Sequence, residues 1–260
     1  MRKKLRMLLT AALLVVFLAA CGQSTQTEAN EARPVITVGG ENYPPFADMD
    51  NNGTPTGLDI DILTEAFDRV GYDVRFVHIQ WEDKDELLAS GEIDCVTGGF
   101  TIDGREDDYL WIGPYMNSNQ AVAVNEGSDI HSLGDLKGKT VAVQAATIAE
   151  KILLENGNPN APQAVQLFSF ENSTLLFAAL GCDYVDAIVA DEPVIIQYMN
   201  DYGTTFTILD EPLTYAKVGT AFAKDGDAQL CEQVNAAIDA MREDGTLDTI
   251  IQSHTNGTNK

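Results

Sequence analysis

Residues 98–105 read Gly98-Gly99-Phe100-Thr101-Ile102-Asp103-Gly104-Arg105, one residue after the stretch Ile93-Asp94-Cys95-Val96. Adjacent glycines let the backbone turn sharply and expose its polar groups. Thr101 adds a hydroxyl, and Arg105 adds a guanidinium whose fork can grip a carboxylate through two parallel hydrogen bonds. A strand ending in such a loop is a place to hold a small polar molecule. The competing use of Arg105 is a surface ion pair with Glu106, Asp107 or Asp108.

Other chemistries find little support. No nucleophile–base pair stands out, and the only histidines are His78, His131 and His254. Beyond Cys21, the cysteines Cys95, Cys182 and Cys231 are widely spaced with no CxxC pair, so neither a zinc site nor a disulfide framework is indicated. All three are expected as buried small apolar residues. Residues 48–59 approach a calcium-loop pattern, but Pro44-Pro45 forbids the incoming helix and Pro55 takes the usual apolar position. A polar turn explains them more simply, and no metal or cofactor is expected. The formal charge of -24 argues against nucleic acid and slightly favours a cationic or zwitterionic ligand over an anion.

The elements that must position the loop follow from periodicity. A strand at 35–38 leads to Asn42-Tyr43-Pro44-Pro45-Phe46, whose prolines set an extended loop. Apolar residues at helical spacing over 58–70 close at Gly71; a strand at 74–79, a short helix at 82–90 and a strand at 93–96 follow. The rhythm restarts with strands at 140–143, 165–168 and 187–189, alternating with helices at 147–156, 172–180 and 192–201. Residues 206–209, 218–222 and the helix 228–242 return towards the first half. These alternations indicate two open α/β halves whose ligands bind at the carboxyl ends of strands. Crossings near 120–124 and 211–216 would leave a cleft between them.

The first residues are a targeting segment. Arg2, Lys3, Lys4 and Arg6 precede an apolar stretch, 7–20, too short for a permanent span of a bilayer about 30 Å thick. Leu18-Ala19-Ala20-Cys21 resembles the lipobox of bacterial lipoproteins, which implies cleavage before Cys21 and diacylglycerol on its thiol. Two acyl chains suffice for stable anchoring. Residues 21–33 then read as a lipidated cysteine with a flexible tether.

Further motifs occur in a telling order: Gly57-Leu58-Asp59-Ile60-Asp61, Gly91-Glu92-Ile93-Asp94, Gly99-Phe100-Thr101-Ile102, Gly113-Pro114-Tyr115, Leu133-Gly134-Asp135-Leu136-Lys137-Gly138-Lys139, Val141-Ala142-Val143-Gln144, Val185-Asp186-Ala187 with Asp191, and Asp244-Gly245-Thr246. Together with the Tyr43-Pro44-Pro45-Phe46 stretch they resemble the polar amino-acid family of extracytoplasmic solute-binding proteins, which serve ABC importers. The resemblance covers about residues 34 to 253.

What it implies is a two-lobed, periplasmic-binding-protein-like (Venus flytrap) α/β fold with two crossover hinge segments. Lobe 1 would comprise 34–119 plus 216–254, and lobe 2 residues 120–215. Arg105 takes the place of the arginine that clamps the ligand α-carboxylate, one residue closer to Thr101 than usual. Thr147 begins a helix whose N–H groups suit the same carboxylate, and it is equally a plain N-cap. Asp191 matches the ammonium-binding aspartate, with Thr101 and the Gly99 carbonyl completing the seat; its alternative is again a cap. Tyr43 and Trp81 match the positions that sandwich the ligand side chain, whereas Phe46 reads as structural. Family members for cationic ligands often carry an aspartate where Gly40 stands; Glu41, one residue along, is the substitute to consider, with Thr97 and Gln144 nearby.

The function expected is therefore a non-enzymatic, lipid-anchored, extracytoplasmic receptor. It would act as a monomer, capture a free polar or cationic amino acid and deliver it to an ABC permease. The alternatives are an enzyme on the same fold, a dehydratase of small carboxylates, or a ligand sensor for a signalling receptor.

Overall fold

The computed structural model describes residues 32–255 except 51, 156–161, 163 and 164. The targeting segment, Cys21 and nearly all of the expected tether lie outside these residues. Arg33, expected as the tether's last residue, is instead fixed. It donates to Asp68 Oδ1 at 2.6 Å, to the Asp68 carbonyl at 3.0 Å and to the Tyr72 carbonyl at 2.8 Å. Charge-assisted bonds to a helix end begin the folded body before it.

In chain order the strands are β1 (Val35–Gly40), the two-residue β2 (Asp48–Met49) and β3 (Pro55–Thr56), β4 (Asp73–His78), β5 (Cys95–Thr101) and β6 (Tyr109–Asn125). Then follow β7 (Thr140–Gln144), β8 (Gln166–Phe170), β9 (Ala187–Asp191), β10 (Phe206–Ile208) and β11 (Thr214–Ala223). The helices are α1 (Leu58–Arg69), α2 (Lys84–Ser90), α3 (Ile148–Leu154), α4 (Ser173–Gly181), α5 (Glu192–Tyr202), α6 (Ala228–Asp244) and α7 (Thr246–Thr255).

Two α/β lobes share one continuous ladder, in the order β4-β1-β5-β11-β6-β9-β7-β8 with β10 on β6. The outer pairs β1–β4 and β7–β8 are parallel; the inner strand of each, β1 and β7, carries the continuously buried run, and the edge strands β4 and β8 stay partly exposed. The expected crossings follow the strands: residues 120–124 lie within β6, and 211–213 lead into β11 at Thr214. β6 pairs antiparallel with β11 from Tyr109 to Gln120, and from Gln120 to Ala123 it pairs with β9. Gln120 is thus where β6 exchanges partners between lobes. Backbone hydrogen bonding on both sides keeps the two hinge strands in register, so neither becomes a loose linker.

α1 buries Leu58, Ile62, Leu63, Ala66 and Phe67, one face at helical spacing. Gly245, left-handed at φ 82°, ends α6, and α7 restarts at once, a helix that the periodicity reading missed. The Pro44-Pro45 segment is a tight turn, closed by the Tyr43 N–H on the Ala47 carbonyl at 2.7 Å, where an extended loop was expected. Cys95 and Cys231 are buried, but Cys182 is exposed, against expectation, because it falls on the C-cap of α4, beyond that helix's packed face. Among the described residues no helix is long and apolar enough to cross a membrane.

Candidate functional site

A cavity lies between the lobes at the carboxyl ends of β1, β5, β7 and β9. All eight residues expected at a ligand site line it: Glu41, Tyr43, Trp81, Gly99, Thr101, Arg105, Thr147 and Asp191. Gln120, Gln144, Phe100 and Leu176 line it too.

The glycine corner owes its shape to a carboxylate behind it. Asp59 Oδ2 accepts the Gly98 N–H at 3.0 Å, the Gly99 N–H at 2.9 Å and the Thr97 hydroxyl at 2.8 Å. Asp59 is wholly buried, and burial raises its carboxyl while these donors pull it down. Gly99 adopts φ 67°, and a Cβ there would come 2.8 Å from the Phe46 ring, so the corner admits glycine alone. Phe46 packs behind it and does not line the cavity.

The short spacing before Arg105 is absorbed by a turn. The Arg105 N–H donates to the Ile102 carbonyl at 2.9 Å, and Gly104 supplies the positive φ of 76°. The guanidinium stacks over Phe100 at 5.0 Å and donates to the Thr101 carbonyl at 3.3 Å and the Ala146 carbonyl at 3.2 Å. It makes no ion pair with Glu106, Asp107 or Asp108. Burial lowers its pKa, the mark of a cation short of negative charge.

Asp191 faces Arg105's lobe from the end of β9. Its carboxylate accepts the Ser118 hydroxyl at 2.6 Å and the Tyr43 hydroxyl at 3.1 Å. It forms no side-chain cap on α5. Burial pushes its pKa up to about 6 against the pull of Ser118, Gln120 and Tyr43, and no cation pairs with it. The Thr147 hydroxyl does cap α3, accepting the Glu150 N–H at 3.3 Å and donating to the Gln144 carbonyl at 2.7 Å. Trp81 stands edge-on to Phe100 at 5.0 Å, with its indole N–H 3.4 Å from the Ala146 carbonyl. Glu41 is bound by the amide of Gln144, and burial holds its carboxyl at about 7.

Several of these bonds join the lobes: Tyr43 to Asp191, Gln144 to Glu41, Arg105 and Trp81 to Ala146, and Lys151 Nζ to the Gly104 carbonyl at 2.9 Å. Sequence reasoning placed Asp59 in a family motif and in the calcium-like stretch and Gln120 at a crossing, but gave neither of them, nor Ser118, a part in the site; which groups a buried polar side chain meets becomes visible only in the fold. The calcium-like stretch forms a hairpin. Asp50 Oδ1 accepts the N–H groups of Asn52 at 2.8 Å and Thr54 at 2.7 Å, and Asp59 is committed elsewhere, so its acids do not converge.

Two α/β lobes joined by paired strands, with a charged cavity between them, define an extracellular solute-binding protein. The chain matches the model of the bacterial extracellular solute-binding proteins, family 3, over residues 36–257, and belongs to that family. It is 32% identical to the probable amino-acid-binding protein YxeM of Bacillus subtilis (strain 168), over 98% of this chain and 96% of that one. An ancestral arginine-binding protein, solved bound to glutamine and bound to arginine, aligns at a TM-score of 0.76 and 32% identity, covering 85% of this chain and 98% of its own.

Proposed function

We propose that the protein captures a free amino acid between its lobes and delivers it to an ABC importer. One observation carries this reading: Arg105 and Asp191, opposite in charge, line one cavity from opposite lobes, the first half-buried and the second buried, both without counter-ions. An isolated buried charge is costly, and a zwitterion relieves both at once. Arg105 and the Thr147 backbone N–H take the α-carboxylate. Asp191, Thr101 and the Gly99 carbonyl take the α-ammonium, while Tyr43 and Trp81 flank the side chain. Because the ligand touches both lobes only when they meet, binding favours closure about hinges near 120 and 216, which divide lobe 1 from lobe 2.

The protein acts as a monomeric carrier and not as a catalyst, and YxeM, named as a binding protein, supports this. Cleavage before Cys21 and its diacylation hold the chain on the outer face of the cell membrane. In a panel of free amino acids, one or a few should raise the melting temperature of the purified protein. They should also compact it in solution scattering and be recovered unchanged after incubation. No shift with any amino acid, or turnover of a bound one, overturns the reading. Cys21→Ala should move the protein from the membrane fraction to the soluble extracytoplasmic fraction; retention on the membrane refutes the anchor.

A further inference from the structure

We propose that Lys84 determines specificity through Trp81: its buried ammonium turns the aromatic wall of the cavity against a positively charged ligand side chain and towards an uncharged one. This rests on the carrier reading above and narrows the ligand class within it.

Little around position 84 favours a lysine. Lys84 opens α2, where the partial positive charge of a helix N-terminus opposes a cation. It is only 4% exposed, and lysines are almost never buried unless paired. Among the described residues its one ion pair is with Asp85 at 3.8 Å, an exposed carboxylate that also takes the Tyr109 hydroxyl. Its one hydrogen bond is a long one, 3.5 Å to the Trp81 carbonyl. Burial lowers its pKa, and Asp85 is the main group that upholds its charge. An apolar side chain would fill the same space without burying an ammonium. What the ammonium does gain is a place over the Trp81 indole, 5.1 Å from the ring centre.

Trp81 lines the cavity and Lys84 does not, so the indole meets the ammonium on one side and the ligand space on another. The ring is held in place, edge-on to Phe100 at 5.0 Å and with its N–H 3.4 Å from the Ala146 carbonyl. Phe100, also on the cavity wall, carries the Arg105 guanidinium over it at 5.0 Å. Tyr43, the third ring of the lining, stacks on Phe46 and spends its hydroxyl on Asp191. Two of the three rings are thus already paired with a cation. A cation draws the π electrons of a ring towards itself, so the ring attracts a second cation less, and the like charges repel. Dispersion contacts with the indole do not depend on net charge. An uncharged side chain therefore keeps its whole contact with Trp81, and a cationic one loses part of it.

Calorimetry of the full mature protein tests this at pH 8, above the value of about 7 for Glu41, so that this carboxylate stays ionised in every variant. L-arginine, L-glutamine and L-glutamate are titrated directly, or in competition with the amino acid that the panel finds. Lys84→Met should raise the arginine-to-glutamine affinity ratio about fivefold and lower the glutamate-to-glutamine ratio. Lys84→Gln, which keeps a donor for the Trp81 carbonyl, should do the same, so the result does not hang on one variant folding. Lys84→Arg keeps a cation able to stack on the indole and should leave both ratios within about twofold of the unaltered protein. A lysine that only fills space would move all three amino acids alike, and that result overturns the inference. So does a ratio that stays flat in both uncharged variants, or one that shifts as far in Lys84→Arg. If an amino acid still binds in those cases, only the ligand class is lost; if none binds the unaltered protein, the carrier reading falls with it.

Discussion

Asp59 and Asp191 are both buried aspartates near the cleft, and their surroundings set them apart. Asp59 spends one oxygen on two backbone N–H groups and a threonine hydroxyl, and it does not line the cavity. Asp191 lines the cavity and, like Arg105 across from it, keeps its charge uncompensated. Both aspartates accept from several donors and neither has a counter-ion, so what separates them is the backbone N–H groups that Asp59 fixes and the cavity that Asp191 faces. The contrast separates residues that build the site from residues that use it.

Four substitutions and a titration can break or sharpen that division. Arg105→Ala should cost the most: about 2–5 kcal/mol of binding, about thirtyfold or more, with little change in unliganded melting temperature. Affinity within threefold of the unaltered protein would sink its role. Asp191→Asn should weaken binding by tens of fold while keeping an acceptor oxygen for one of Ser118 and Tyr43 and setting an NH2 against the other, again read by calorimetry. Asp59→Asn should do the reverse. It replaces the charged acceptor of the Gly98, Gly99 and Thr97 donors by a neutral amide oxygen and should lower stability by about 1–3 kcal/mol, with any affinity loss following from the displaced corner. Loss of affinity at undiminished melting temperature would move Asp59 to the ligand-contacting group.

The pH dependence of the empty protein tests the uncompensated charges together. Burial raises Glu41 from 4.5 to about 7 and Asp191 from 3.8 to about 6. The native state therefore binds more protons than the unfolded chain between those limits. Stability is fully present below the unfolded values and is lost as pH rises through about 7. The melting temperature should fall from about pH 5 to pH 8, and saturating ligand should flatten the slope; a rise instead would show both carboxylates already compensated. Thr147→Val should have the smallest effect. Loss of its cap should cost about 1 kcal/mol in stability, with affinity within a few fold, since its backbone N–H remains.

Much of the architecture was legible because its signals are local. Helical spacing marked α1 and α6, and apolar runs marked the parallel strands. The restart at Thr246 was missed because one left-handed glycine ends a helix without changing its apolar period. The order of weak motifs brought the eight cavity-lining residues into view before any fold was known. Asp59 was marked by its motif, but its hold on the glycine corner escaped because Gly98 and Gly99 lie about forty residues further on.

The chain by itself determined which chemistries are present: a guanidinium four residues after a threonine, an aspartate closing a strand, glycines at the turn between them. These follow from residue type and spacing along the backbone. Only the tertiary structure decided which charges are compensated, because that depends on long-range neighbours such as Gly98 for Asp59 and Ser118 for Asp191. Burial then converts the difference into free energy: the same carboxyl group is part of the wall at one position and an empty seat at the other.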